Sequence, residues 1–132
     1  MTDIRLHTAP DAPQPPGPFS HAASVDDWVY TSGMGGLDPA TGQVVSDDVI
    51  AQTEQAITNT ERILAAAGCS LQNVVKTVLY LTDMQDYARV NAVYEKRFGG
   101  HKPARTCVAV SALPVRERMK LDTVAIRRPR AK

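Results

Sequence analysis

The sequence lacks most of the motifs that announce a chemistry. It holds no phosphate-cradling P-loop, no GxGxxG turn, no HExxH helix, no GxSxG elbow and no CxxC pair. These absences remove ready-made sites for nucleotide phosphates, dinucleotides, catalytic zinc, a serine nucleophile and thiol redox exchange. The two cysteines, Cys69 and Cys107, stand without metal-ligand spacing, and the three histidines lie far apart, so neither a cofactor nor a metal is indicated. Aromatic residues are scarce at 5%, so the core must rest on Val, Ile, Leu and Ala. No apolar run approaches the ~18 residues a membrane span needs, so no membrane partner is expected. The first residues carry no signal-like apolar region, and with free thiols this favours the cytoplasm. Charge of one sign is also missing: 15 basic and 14 acidic side chains leave a net charge of +1. That balance argues against nucleic acid as a partner, and so against RNA cleavage. The last six residues are basic, with Arg127, Arg128, Arg130 and Lys132, and read as a solvated tail.

What is present describes one globular domain over residues 1–132. Ile4–His7 is a candidate edge strand. Residues 10–18 hold five prolines, which forbid a regular element and predict an extended connection. Phe19–Ser24 and Trp28–Ser32 flank Val25-Asp26-Asp27 as a hairpin. A glycine-rich loop follows, TSGMGGLDPATG, with the chain extended again near Val44–Val45. Ser46 is the expected N-cap of a helix whose acidic start, Asp47 and Asp48, suits the positive end of the helix dipole. Val49, Thr53, Ala56, Ile57, Thr60, Ile63, Leu64 and Ala67 lie on one face of that helix, and Gly68 ends it. Val74–Thr82 predicts a strand covered on both faces. Asp83 is the expected cap of a second helix with Tyr87, Val90, Asn91, Tyr94 and Phe98 on one face. Arg105–Leu113 and Met119–Arg128 complete the set as strands. Two helices on one face of a mixed sheet make a two-layer α+β domain. Two helices cannot hide both faces of five or six strands, so the second face must be wet or buried by oligomerisation.

Chemistry must then come from individual polar residues. Strand alternation puts Arg105, Cys107 and Ala109 on one face of RTCVAV. An arginine beside small residues offers a planar fork for a carboxylate; the alternative is an ion pair with a neighbouring Asp or Glu at a subunit contact. The small residues of TSGMGG could converge N–H groups on an oxyanion or merely form a tight turn. Asp122 alternates with apolar residues in the last strand, either as an exposed carboxylate or as a general base that orients water. Asn91, on the apolar face of the second helix, needs a hydrogen-bond partner. Cys107 has no fixed histidine to activate it as a nucleophile. If the last two strands paired as a hairpin about Arg116, Arg105 would lie roughly 16 Å from Asp122. Either those strands are not direct partners, or the two residues meet across a subunit boundary.

Several segments in order resemble the Rid (reactive intermediate deaminase) family: GPFSHA, VYTSGM, DPATGQV, VVKTVLYLTDMQDYARVNAVYEKRF, KPARTCVAV and KLDTVAIRR. The resemblance implies a homotrimer of chorismate-mutase-like fold with sites in the clefts between subunits. It implies cofactor-free hydrolysis of 2-imino or 2-enamino acids to 2-keto acids and ammonia. By position, Arg105 would hold the substrate carboxylate, and Ser32, Gly33, Asn91 and Cys107 would line the pocket. Asp122 falls where deaminases carry a water-orienting Glu, Phe19 where Tyr is usual, and Met34 where Gln is frequent. Phe19 lacks a hydroxyl, Met34 makes a polar wall apolar, and Asp122 is one methylene short. A displacement of that size can cost on the order of 10²-fold in rate. The alternative is a regulatory trimer that binds a keto acid or other small carboxylate without turning it over.

Overall fold

The computed structural model describes residues 3–127. Its elements are β1 (Ile4–His7), β2 (Ala22–Val25), β3 (Trp28–Thr31), β4 (Met34–Gly35), α1 (Val49–Ala66), β5 (Val74–Leu81), α2 (Tyr87–Phe98), β6 (Ala104–Ala109) and β7 (Met119–Ile126). The strands form one mixed sheet in the order β1-β2-β3-β7-β5-β6, with β4 also pairing β7. Only β5 and β6 run parallel, joined by α2 as the crossover. The expected two-layer α+β domain is what forms. Among the described residues no helix is long and apolar enough to cross a membrane.

Local chemistry explains most boundaries. The hairpin β2–β3 turns through Asp26, which takes φ 53°, a conformation aspartate tolerates better than most residues. Helix α1 begins two residues later than expected. Asp48 is its cap and accepts from the Ile50 amide, while the Ser46 hydroxyl accepts from the Asp48 amide one step earlier. Both carboxylates therefore precede the first turn. At the other end Gly68 takes φ 82°, and the amides of Gly68 and Cys69 donate to the carbonyls of Ala65 and Leu64. That is a Schellman closure, which requires the left-handed residue that glycine supplies. Asp83 caps a single 3-10 turn, Met84–Asp86, rather than α2 itself. The extended stretch near Val44 amounts to one bridge, Leu37 with Val44.

Two strand expectations need correction. β6 stops at Ala109 and β7 at Ile126, while residues 128–132, with the rest of the basic tail, lie outside the described residues. Within the single chain β5 is fully covered on one face and partly on the other. Thr77, Leu79 and Leu81 are buried under the helices, whereas Lys76, Val78 and Tyr80 are only partly covered. β7 alternates in the same way, with Met119, Leu121, Thr123 and Ala125 buried. The core thus fills the space between one sheet face and α1 with α2, and includes Ile57, Ile63, Leu64, Leu79, Leu121 and Phe98. The opposite face is open and carries Trp28, Tyr30 and Val108 at 40% exposure or more.

Candidate functional site

The sheet order decides where the candidate residues stand. β5 lies between β6 and β7, so the last two strands are not partners. Arg105 pairs with Thr77, and Asp122 pairs with Val78, one position along β5. Thr77 is buried on the helix side, and its hydroxyl lies 2.9 Å from the Tyr94 hydroxyl of α2. Paired residues share a face and consecutive ones alternate. Arg105 and Cys107 therefore point to the helix side at the sheet edge, and Asp122 points to the open side. Within one chain they stand on opposite faces of one sheet.

The helix-side half-site is a cavity of about 320 Å³ at the edge of β6, lined by Asn91, Tyr94, Glu95, His101, Lys102 and Arg105 among others. Arg105 Nη2 donates to the Tyr87 hydroxyl at 2.9 Å. Its guanidinium carbon lies 5.0 Å from the Tyr94 ring centroid and 5.5 Å from that of Tyr87. Aromatic faces attract the cation and hold its plane without neutralising it. Among the described residues no carboxylate of the chain forms an ion pair with Arg105. The Asn91 Oδ1 is buried and makes no hydrogen bond. An acceptor left without a donor in a cavity wall beside a free cation is a place for a ligand N–H or water. Cys107 packs against the core, and burial pushes its thiol up, with nearby Arg105 opposing. A protonated thiol is a poor nucleophile, and Cys107, packed against the core, is not among the residues that line this cavity.

The open-side half-site is a cavity of about 390 Å³ lined by Phe19, Ser32, Gly33, Tyr80, Leu113, Lys120 and Asp122. Tyr80 donates to Asp122 Oδ2 at 2.8 Å. This bond pushes the Tyr80 phenol up, with burial and the carboxylate's charge adding to it. The Ser32 hydroxyl is already spent, donating to the Ser20 carbonyl at 2.6 Å. Met34 does not wall this cavity. It is buried opposite Leu121 and lines a neighbouring apolar one.

The glycine loop proves to be a packing device. A Cβ on Gly36 would collide with the Gln52 backbone of α1, and one on Gly35 with the Glu117 carboxyl. Asn59, fully buried on α1, donates to the Gly35 and Leu37 carbonyls at 3.1 and 2.9 Å. Gln52, also fully buried, ties the Ser46 carbonyl to the Arg118 amide. Helix α1 thereby fixes the loop that presents Ser32 and Gly33. Glu117 is buried, and among the described residues Lys120 is its one ion partner, at 3.4 Å; burial pushes its carboxyl up and Lys120 opposes. Among the described residues no group of three or more His, Cys, Asp or Glu side chains is arranged to hold a metal.

Sequence reasoning missed Tyr80, Tyr87 and Tyr94 as site residues. The last two were legible in part, because positions 87, 91 and 94 share a helix face; they read as core, yet Tyr87 is 40% exposed and turned to Arg105. Tyr80 could be placed only once β5 was known to lie beside β7.

Comparison with known proteins bears on this arrangement. The family model described as Endoribonuclease L-PSP matches residues 9–127. A Mus musculus protein named 2-iminobutanoate/2-iminopropanoate deaminase is 44% identical over 118 residues, covering 89% of this chain and 87% of that protein. The yeast structure YEO7 superposes with a TM-score of 0.92 at 35% identity, covering 96% of this chain and all of that one. The structure of E. coli TdcF with bound serine gives a TM-score of 0.89 at 31% identity over 94% of this chain and 99% of its own.

Proposed function

The chain belongs to the endoribonuclease L-PSP family, the Rid resemblance of its sequence, and on that premise we propose that it hydrolyses 2-imino acids to 2-keto acids and ammonia at clefts between subunits of a homotrimer. The observation that carries the reading is Arg105, a cation seated on Tyr87 and Tyr94 with no protein carboxylate among the described residues to neutralise it. Such a fork, flanked by the unsatisfied Asn91 Oδ1, suits a substrate with a carboxylate and an adjacent N–H. The exposed aromatic and aliphatic side chains of the open sheet face supply the surface that trimerisation buries. Assembly also lets the Asp122 half-site of one subunit meet the Arg105 half-site of the next. The free thiols Cys69 and Cys107 suit a reducing, cytoplasmic setting.

The chemistry is then ordinary. Arg105 holds the carboxylate, which fixes the imine carbon. Asp122 takes a proton from a water, whose oxygen attacks that carbon to give a carbinolamine. Asp122 returns that proton to the imine nitrogen, which becomes the amino group; the carbinolamine hydroxyl then gives its proton, through Asp122, to the same nitrogen, the C–N bond breaks, and ammonia leaves as the C=O bond forms. Tyr80 acts as a positioning residue: it holds Asp122 Oδ2 and leaves Oδ1 for the water. A pinned carboxylate offsets part of the reach lost with the missing methylene.

The test is to generate 2-iminopropanoate with a serine dehydratase and follow keto-acid formation. Acceleration by the protein that Arg105→Ala abolishes is the expected result. Asp122→Ala should lose turnover while keeping keto-acid affinity. A wild-type protein that binds keto acids yet accelerates no imine would instead identify a binding trimer.

A further inference from the structure

A third cavity, of about 190 Å³, adjoins the Asp122 half-site, and most of its walls are apolar, Pro13, Pro15, Met34, Leu37 and Val115 among them. The proline segment is strapped down by the fully buried His21, whose Nδ1 accepts from the Ala9 amide at 2.9 Å and whose Nε2 donates to the Pro13 carbonyl at 2.7 Å. Two charged side chains also line this space, Glu117 and Lys120, and the imine-hydrolase chemistry uses neither. The Glu117 side chain is 1% exposed, and its Oε2 makes no hydrogen bond. Lys120 Nζ stands 3.4 Å from that oxygen, longer than the ~2.7–2.9 Å of a charge-assisted hydrogen bond. The amine is therefore near enough to exchange a proton with the carboxylate without being locked in a closed ion pair. Two glycines set this spacing. The lysine stem runs over Gly33, where a Cβ would come 2.9 Å from Cδ, and the Glu117 carboxyl sits over Gly35, where a Cβ would collide with Oε1. Burial pushes the Glu117 carboxyl up, which makes it a stronger proton acceptor than an exposed carboxylate.

We propose that Lys120 captures small apolar aldehydes and ketones in this cavity as a protonated imine, with Glu117 accepting and returning the protons. This activity is independent of imino-acid hydrolysis, because the nucleophile is the protein's own amine and the reacting carbon belongs to a carbonyl compound. Glu117 Oε2 takes a proton from the Lys120 ammonium, and the freed amine adds to the carbonyl carbon. The C=O π electrons move to oxygen, which takes the proton held by Glu117. Glu117 then takes a second proton from the new secondary ammonium and passes it to the hydroxyl. The C–O bond breaks, water leaves, and the nitrogen lone pair forms the C=N bond. The product is a protonated imine facing the Glu117 carboxylate, so the pair is as neutral at the end as at the start. The same balance sets the ligand class. Lys120 is the one cation among the described residues lining the cavity, and a carboxylate on the ligand would add a negative charge that nothing else there offsets. A neutral carbonyl with an alkyl chain meets the prolines, Met34 and Leu37 instead. At ~30 Å³ for a water-sized group, the space takes about six heavy atoms, the size of pentanal.

The experiment incubates the whole protein with limiting pentanal, reduces any imine with cyanoborohydride, and locates the pentyl groups by peptide mass spectrometry. The chain's other lysines, Lys76, Lys96, Lys102 and Lys132, serve as internal references. Lys120 should be labelled at least about tenfold faster than any of them. Glyoxylate, an aldehyde that carries a carboxylate, should label Lys120 no faster than the references, a comparison that needs no variant. Glu117→Gln removes the base and should slow labelling of Lys120 by about tenfold or more. The reference lysines should keep their rates in that variant, and its circular dichroism should match the wild type. Lys120→Arg keeps a cation opposite Glu117 and should lose the fast label altogether. Lys120 labelled no faster than the reference lysines, or a fast label that Glu117→Gln leaves intact, overturns the proposal. Fast labelling of Lys120 by glyoxylate overturns the assigned ligand class.

Discussion

If Arg105 and Asp122 serve one substrate from opposite faces of the sheet, each site takes one of them from each of two subunits. Two inactive variants should then repair one another. Arg105→Ala chains retain Asp122, and Asp122→Ala chains retain Arg105. In a cyclic trimer every interface is heterologous, so each cleft draws its arginine from one subunit and its carboxylate from the next. When the two variants are unfolded together and reassembled in equal amounts, a given cleft receives an intact arginine half the time and an intact aspartate half the time. About a quarter of the clefts are therefore complete, and the mixture should regain about a quarter of wild-type activity, three clefts per ring notwithstanding. The assay is keto-acid formation from 2-iminopropanoate, with each variant refolded alone as control. Activity of the mixture no greater than the mean of the two controls would refute the argument, because it would mean that both residues act from one chain or that one of them does not act at all.

Three further outcomes follow from the geometry. Tyr80→Phe removes the 2.8 Å bond to Asp122; a hydrogen bond to a charged group is worth about 1.5–3 kcal/mol, so kcat should fall roughly 10-fold or more with KM little changed, as steady-state kinetics would show. Gly36→Ala drives a Cβ into the Gln52 backbone of α1 and should cost about 3 kcal/mol or more in denaturant unfolding, whereas Gly33→Ala meets only the flexible Lys120 chain, 2.9 Å away at Cδ, and should cost about 1 kcal/mol. Glu117 has its carboxyl pushed up by burial, so the unfolded chain releases that proton first and the folded state loses stability as pH rises from the ordinary carboxylate range through the raised value. Glu117→Gln escapes this loss, so its melting temperature relative to wild type should climb between pH 4 and pH 8; a gap that narrows over that range would contradict the burial argument.

Much of this was legible in the sequence because it is local. The period of α1 placed Val49, Ala56, Ile57, Ile63 and Leu64 inward, and all five are buried. Gly68, the hairpin around Asp26 and the short edge strand Ile4–His7 also stand where local chemistry put them. The caps slipped by two residues because Ser46, Asp47 and Asp48 can each cap, and the choice fell to Gln52, whose amide claims the Ser46 carbonyl. The polar pair Gln52 and Asn59 could not be recognised as buried, since their partners, the Ser46, Gly35 and Leu37 carbonyls and the Arg118 amide, belong to distant loops.

The sequence by itself determined the class of the fold, the helix faces and the presence of an arginine and a carboxylate suited to an imino acid. Only the tertiary structure decided how they relate. Strand alternation is set by each strand's own backbone, but strand order is set by burial among residues far apart in the chain. Inserting β5 between β6 and β7 fixed the faces on which Arg105 and Asp122 stand. It also brought Tyr80 to Asp122 and left Arg105 to Tyr87 and Tyr94.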